Sequence, residues 1–284
     1  MSNLQDLITP CSPTWCPGCG DFGIWGAFKN AAVKQGWDNT NTCLVAGIGC
    51  HGHIVNYTKI TSVEGLHGRP IPVATGIKIA NHRLNVFVFT GDGDSLAEGG
   101  NHFIHACRRN HNITVILHDN AAYGLTVGQT SPTSPLGFKT KSTPGGNLDY
   151  PINPLALAIA AGATFVARGY TGDIPNLTEL IIKANEHQGI SIIDVLQPCQ
   201  TFNKEYSHQF FQENCYELDE KYNPADKVEA FKKSLEWGLK QIPLGIFYKE
   251  NKLSYESELP QLKEKPLIKN SVDRDLEELF EKYL

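Results

Sequence analysis

The sequence predicts an α/β fold, a parallel sheet with helices on both faces, followed by a charged C-terminal extension. Two observations carry that prediction. Short, wholly apolar runs alternate with segments of helical period, the pattern of strands buried on both faces of a parallel sheet. The runs exit into Gly, Asp-Asn or Gln-Pro, which end strands at loops. A chain of 284 residues, 41% hydrophobic, is also long enough to bury a substantial core.

The elements follow in order. Residues 1–15, with Pro10 and Pro13, read as irregular. Ile24–Gln35 has helical spacing and stops at Gly36. Thr42–Ala46 is a buried strand, residues 51–70 a long loop, and Pro72–Asn81 a helix. Asn85–Thr90 (NVFVFT) is a strong strand and Leu96–Arg109 a helix. Ile113–Leu117 is a strand running towards Asp119-Asn120. Residues 121–151 lack any hydrophobic period; as part of so long a loop after a strand, 119–151 is a candidate for closing over a ligand or partner. Leu155–Ala161 and Ile174–Glu186 are helices, and Thr164–Ala167 and Ile190–Leu196 strands. The tail offers helices near Ala225–Lys240 and Arg274–Leu284.

Charge divides the chain at residue 202. Residues 1–202 carry 12 of the 25 Lys/Arg and 13 of the 30 Asp/Glu; residues 203–284 carry the other 13 and 17. The first segment is too poor in charge for an ordinary soluble surface, so its faces are expected to be covered by other subunits. The net charge of −5 excludes nucleic-acid binding through a bulk positive field. No basic leader precedes an apolar run, and no apolar run reaches the ~20 residues of a membrane span. The expected location is cytoplasmic, where thiols stay reduced, so the 8 cysteines read as metal-binding, catalytic or packed rather than disulfide-linked.

The strand 85–90 ends in Gly91-Asp92-Gly93-Asp94, and 26 residues separate Gly93 from Asn120 at the end of the next strand. A βαβ unit brings two such strand ends together. A carboxylate, an amide oxygen and a backbone carbonyl there suit Mg²⁺, with water and diphosphate oxygens completing the shell. A helix starting near Ser95 adds N–H groups for the anion. The pair resembles the thiamine diphosphate signature. Gly18–Gly23 (GCGDFG) fits a dinucleotide pattern, but no strand precedes it.

Cys16-Pro-Gly-Cys19 places two thiols within one turn, open to zinc, iron–sulfur or redox use. Cys50 and Cys199 follow strands, so both belong at one sheet edge. Four thiolates suit a [4Fe–4S] cluster, whereas Cys11, Cys16 and Cys19 alone have plant-type [2Fe–2S] spacing. Cys43, Cys107 and Cys215 read as packing. The motifs also leave two other readings: a non-redox thiamine enzyme, which needs no cluster, and an electron-transfer subunit, which needs no thiamine.

WCPGCGDFGIW, GIGCHGHI, LHGRPIPVATGIKIAN, GDGDSLAEGGNHFIHACRRN, DNAAYGLTVGQTSPT and the later QPC together resemble the β subunit of 2-oxoacid:ferredoxin oxidoreductases, over roughly residues 11–205. The short-β, two-subunit branch, often directed to 2-oxoglutarate, is the most similar. The resemblance implies thiamine diphosphate with Mg²⁺ on Asp92, Asn120 and the Ala122 carbonyl, and a [4Fe–4S] cluster on Cys16, Cys19, Cys50 and Cys199. Cofactor contacts then fall on Ile48, Gly49, Cys50, His67, Gly91, Gly93 and Asp94, and on Gly124, Leu125 and Thr126. It further implies a partner α subunit that supplies the activating Glu, a 2-oxoacid (2-oxoglutarate, then pyruvate), coenzyme A and ferredoxin. Two positions depart from the pattern. His53 stands where the family often has a Lys or Arg for the substrate carboxylate, and Val127 stands where Lys or Gly is usual. With His67, His53 is the candidate for substrate chemistry.

Overall fold

The computed structural model describes residues 3–270 and 277–283. In chain order the elements that position the site are α1 (Asp21–Gln35), β1 (Thr42–Ala46), α2 (Ile54–Tyr57), β2 (Ser62–Glu64), α3 (Pro70–Ala80) and β3 (Asn85–Gly91). They continue with α4 (Gly100–Arg109), β4 (Thr114–Asp119), α5 (Pro154–Ala161), β5 (Phe165–Tyr170), α6 (Ile174–Glu186) and β6 (Ser191–Leu196). The last part adds α7 (His208–Asn214), β7 (Cys215–Glu217), α8 (Lys227–Ser234) and β8 (Ile242–Lys249).

One sheet joins these eight strands in the order β2-β1-β3-β4-β6-β5-β8-β7. Among the described residues, every pairing within it is parallel except β5 with β8. The central strands are buried along nearly their whole length, as strands covered on both faces must be. On one face α1 and α6 enclose Phe28, Phe87, Phe89 and Ile193. On the other, α3, α4 and α5 pack Phe103, Leu155 and Ile159 against Val86, Val88 and Val115. The apolar residues of α1 recur as Ile24, Ala27, Phe28, Ala31 and Ala32, one stripe of a helix. The helix ends at Gly36, whose φ of 67° suits a residue without Cβ.

Several expectations are corrected. Residues 51–70 are not a continuous loop: they hold a 3₁₀ turn at Cys50–His53, α2 and the exposed edge strand β2. Ser62–Glu64 lacks the apolar run of a buried strand because an edge strand covers nothing. The helix at 96–109 is interrupted; Gly93–Glu98 forms a π turn and regular helix starts at Gly100. The helix near 225–240 spans only Lys227–Ser234. The expected helix at 274–284 lies partly outside the described residues, within which Glu277–Phe280 is helical.

The charged segment also returns to the sheet. β8 pairs with β7 through Ile242–Leu244 and with β5 through Gly245–Lys249. Pro243 and Gly245 hide this strand in the sequence. Gly245 holds a φ of 122°, where a side chain is strained, as the strand passes from one neighbour to the other.

Candidate cofactor cradle and thiol cavity

The carboxyl ends of β1, β3 and β4 open into one cavity of about 80 Å³. Ile48, Gly49 and Cys50 follow β1; Gly91 ends β3, and Asp92, Gly93 and Asp94 follow it; Asn120, Ala122, Gly124, Leu125 and Thr126 follow β4. With His67, these are all the residues expected at the cofactor, and all line this cavity. His51, Tyr123 and Gln197 line it as well, and no sequence signal marks them for it.

Asp94 is the hub. Its Oδ1 accepts from the Gly68 amide at 2.7 Å and the Ile48 amide at 3.2 Å, and lies 2.6 Å from His67 Nδ1. Its Oδ2 accepts from Thr90 Oγ1 at 2.7 Å. Burial alone would raise this carboxyl; His51, the Gly68 amide and the Thr90 hydroxyl outweigh burial and hold it below the usual carboxylate range. A Cβ at Gly47 would lie 1.8 Å from Asp94 Oδ2, so the glycine after β1 is required by close approach.

Asp92 behaves differently. It accepts from the hydroxyls of Ser131 and Thr133, the latter at 2.5 Å, and Thr133 Oγ1 also lies 2.7 Å from Asp119 Oδ1. Burial pushes Asp92 up despite these bonds. A buried acid whose ionised form is so disfavoured fits a place beside a cation, which reverses the balance. Asn120 Oδ1 accepts from the Ala122 amide at 3.0 Å, and its Nδ2 donates to Gln197 Oε1 at 2.9 Å. Ala121 between them takes a φ of 52°, which turns the chain sharply at the strand exit. The carboxylate, amide oxygen and nearby carbonyl thus meet at one rim, and the donor set fits Mg²⁺. Ser131 and Thr133 sit in a Ser/Thr/Pro stretch whose sequence has no signal for this role.

A second cavity, of about 260 Å³, adjoins the first and is lined by Cys16, Cys19, Cys50 and Cys199. Cys50, Asn120, Gly124, Leu125 and Gln197 line both cavities. A Cβ on Gly124 would lie 3.4 Å from Cys50 Sγ and 3.8 Å from Cys199 Sγ, so this glycine keeps the sulfurs uncovered. The Cys16 hairpin is tied to the Cys199 loop: the Gly20 amide donates to the Pro198 carbonyl at 3.2 Å. Gln197 Nε2 lies 3.4 Å from Cys19 Sγ. The Trp15 indole donates to the Cys50 carbonyl at 2.7 Å and packs on Tyr57, at 4.9 Å between rings.

All eight cysteines are free. Burial pushes Cys50 up to about 12, and Cys19 and Cys199 also rise through burial. Such thiols are poor nucleophiles until a cationic centre draws off their protons. Among the described residues, no group of three or more His, Cys, Asp or Glu is arranged around a single ion. Four thiols spread around a cavity fit a cluster, which has several iron atoms, better than one zinc. Cys11 is exposed and lies outside this cavity; Cys43 and Cys107 are buried in the core. His53 lines the thiol cavity, with its Nδ1 3.3 Å from Asn56 Nδ2, whereas His67 lines the cradle.

Two family models match the chain. The family model "Thiamine pyrophosphate enzyme, C-terminal TPP binding domain" matches residues 47–195. The model of the C-terminal part of the pyruvate ferredoxin oxidoreductase β chain matches residues 199–264. The 2-oxoacid:ferredoxin oxidoreductase subunit beta of Saccharolobus solfataricus is 47% identical over 87% of this chain and 85% of its own length. The chain belongs to the β-subunit family of 2-oxoacid:ferredoxin oxidoreductases. In this family it is an oxidoreductase subunit that works with partner subunits. The 2-oxoglutarate synthase subunit KorB of Archaeoglobus fulgidus is 43% identical over 81% of the chain and 88% of its own length. The solved 2-oxoglutarate:ferredoxin oxidoreductase of Magnetococcus marinus, with 2-oxoglutarate, coenzyme A and succinyl-CoA bound, superposes with a TM-score of 0.92. It is 34% identical, covering 100% of this chain and 96% of that one. Among the described residues no helix is long and apolar enough to cross a membrane.

Proposed function

We propose that this β subunit, joined to an α subunit, converts a 2-oxoacid and coenzyme A to acyl-CoA and CO₂, releasing two electrons and a proton, the electrons passing to ferredoxin. 2-Oxoglutarate is the first substrate and pyruvate the second. The observation that carries the reading is the shared wall: Cys50, Asn120 and Gly124 line both the glycine-rich cradle and the four-thiol cavity. The names of the KorB relative and of the solved homologue support 2-oxoglutarate.

In this reading Asp92, Asn120 and the Ala122 carbonyl hold Mg²⁺, and Cys16, Cys19, Cys50 and Cys199 hold a [4Fe–4S] cluster. When bound, thiamine diphosphate supplies the electron sink for decarboxylation and the cluster a one-electron acceptor. The residues of this chain place those groups. Gly91 and Gly93 admit the diphosphate to the backbone. Asp94 fixes the Ile48 and Gly68 amides and the His67 ring on the facing wall. Ser131 and Thr133 orient Asp92 by donating to it. Trp15 and Tyr57 pack beside the Cys50 turn and restrict water there. His53, which lines the thiol cavity, is the residue of this chain placed to meet the substrate carboxylate.

Methyl viologen reduction by the anaerobically purified α/β complex, across a panel of 2-oxoacids with coenzyme A, tests the reaction. Reduction with 2-oxoglutarate supports it, and failure with every 2-oxoacid overturns it. Iron and thiamine contents of the same preparation separate this reading from a cluster-free thiamine enzyme and from a thiamine-free electron carrier.

A further inference from the structure

Gln197 stands where the cradle and the thiol cavity meet. It directly follows β6, is 1% exposed and lines both cavities. Its backbone amide donates to the Asp119 carbonyl at 2.8 Å, which fixes it beside the end of β4. A Cβ at Gly20 would lie 2.7 Å from Gln197 Cγ, so the bare Gly20 backbone lets this side chain pass close against the Cys16–Cys19 hairpin.

Three hydrogen bonds run through Gln197 in one direction. The Ala122 amide donates to Asn120 Oδ1 at 3.0 Å, Asn120 Nδ2 donates to Gln197 Oε1 at 2.9 Å, and Gln197 Nε2 donates to Cys19 Sγ at 3.4 Å. Chemistry dictates this direction. A sulfur that binds iron has lost its proton and only accepts. Gln197 must then turn its NH₂ to Cys19, which leaves its oxygen for Asn120. Asn120 must in turn present its NH₂ to Gln197, which leaves Oδ1 at the rim with Asp92. That oxygen has two lone pairs, one for the Ala122 amide and one for a cation. Reversing either amide sets donor against donor or oxygen against sulfur.

We propose that Gln197, given the magnesium and the cluster assigned above, is a positioning residue for both. It locks the Asn120 amide with its oxygen towards Mg²⁺, and it raises the reduction potential of the cluster by donating to Cys19 Sγ. Reduction adds negative charge to a cluster, and an N–H on a ligand sulfur holds that charge more tightly.

The anaerobically purified α/β complex carries the test, with two readouts that need no turnover. One is the midpoint potential of the cluster by EPR-monitored titration. The other is the Mg²⁺ concentration needed to retain thiamine diphosphate in equilibrium dialysis. Gln197→Met keeps the length but has neither the N–H nor the carbonyl oxygen. It is expected to keep its iron and to lower the potential by about 59 mV or more, a tenfold shift for one electron. It is also expected to need about tenfold more Mg²⁺ or beyond. Gln197→Glu keeps an oxygen for Asn120 and is expected to return the Mg²⁺ requirement close to wild type. If Gln197→Met does not fold, Gln197→Asn, too short to reach the sulfur, takes its place. An unchanged potential in a variant with full iron overturns the proposal, as does an equal Mg²⁺ requirement in Gln197→Glu and Gln197→Met. Loss of iron from both Gln197→Met and Gln197→Asn also overturns it, because the side chain then only builds the cavity. Wild type without iron or thiamine instead overturns the cofactor reading itself, so the two failures are distinct.

Discussion

The cradle and the thiol cavity share a wall but are held by different means. The cradle is closed by protein bonds. Asp94 alone joins the exit of β1, the His67-Gly68 segment and β3. The thiol cavity gathers sulfurs from three separate segments, and desolvation pushes up its half-buried Cys19, Cys50 and Cys199 thiols. The side-chain bonds to those sulfurs run from Cys19 to Asp21 and from Gln197 to Cys19, both at 3.4 Å. The cradle is therefore closed by the chain's own bonds, whereas the thiol cavity is expected to gain stability from the cluster proposed for it.

The largest expected effect is at Asp92. In the α/β complex, Asp92→Ala is expected to lower 2-oxoacid-dependent dye reduction on the order of 100-fold or more. Thiamine released on acid precipitation falls with it, while iron stays at the wild-type level. Wild-type thiamine content in this variant would break the separation between the two cavities.

Cys199→Ser is expected to lower iron and visible absorbance while sparing thiamine. Cys50→Ser should lower both, because Cys50 belongs to the shared wall. Full iron in Cys50→Ser would show that the four-thiol set is wrong.

Asp94→Asn keeps the shape of the hub but removes its charge, with an expected loss of about 2 kcal/mol in unfolding free energy. Because the folded carboxyl is held below its ordinary value of 3.8, its contribution is complete above that value. It is lost as pH falls through the lower folded value. Urea unfolding of wild type and variant is thus expected to differ by a constant amount from pH 7 to the ordinary carboxylate pKa, and to converge below it. A difference that grows on acidification would contradict the hub.

The smallest effect is at Val127, whose φ of 72° is strained for a β-branched side chain. It is 61% exposed, so little packing is at stake. Val127→Gly relieves a left-handed cost of about 1–2 kcal/mol against about 0.5–1 kcal/mol of added chain entropy. A net gain of about 0.5–1 kcal/mol, read as a raised thermal midpoint, is expected. A lowered midpoint would mean that the side chain is needed where it stands.

Much of the cradle was legible because backbone geometry and residue type coincide there. Gly91-Asp92-Gly93 and Asn120 sit at the ends of consecutive buried strands, and parallel strands direct their ends to one edge. Ser131 and Thr133 were not legible: their hydroxyls reach Asp92 only because the loop after β4 folds back. Gln197 bridges Asn120 and Cys19 across three segments, a relation that no local pattern encodes. β8 was hidden by Pro243 and Gly245, which break strands locally but are tolerated where the strand changes neighbours.

The sequence by itself determined the alternation of buried strands and helices, the strand-end glycines and acids, and the membership of the four cysteines in loops at one edge. These follow from hydrophobic period and from the backbone freedom of glycine, both local properties. Tertiary structure alone decided that the cradle and thiol cavity share Cys50, that Asp94 ties three segments while Asp92 is held by a distant loop, and that the charged segment completes the sheet. Those relations depend on strand order and chain return, where contacts between residues far apart in sequence outweigh local preference.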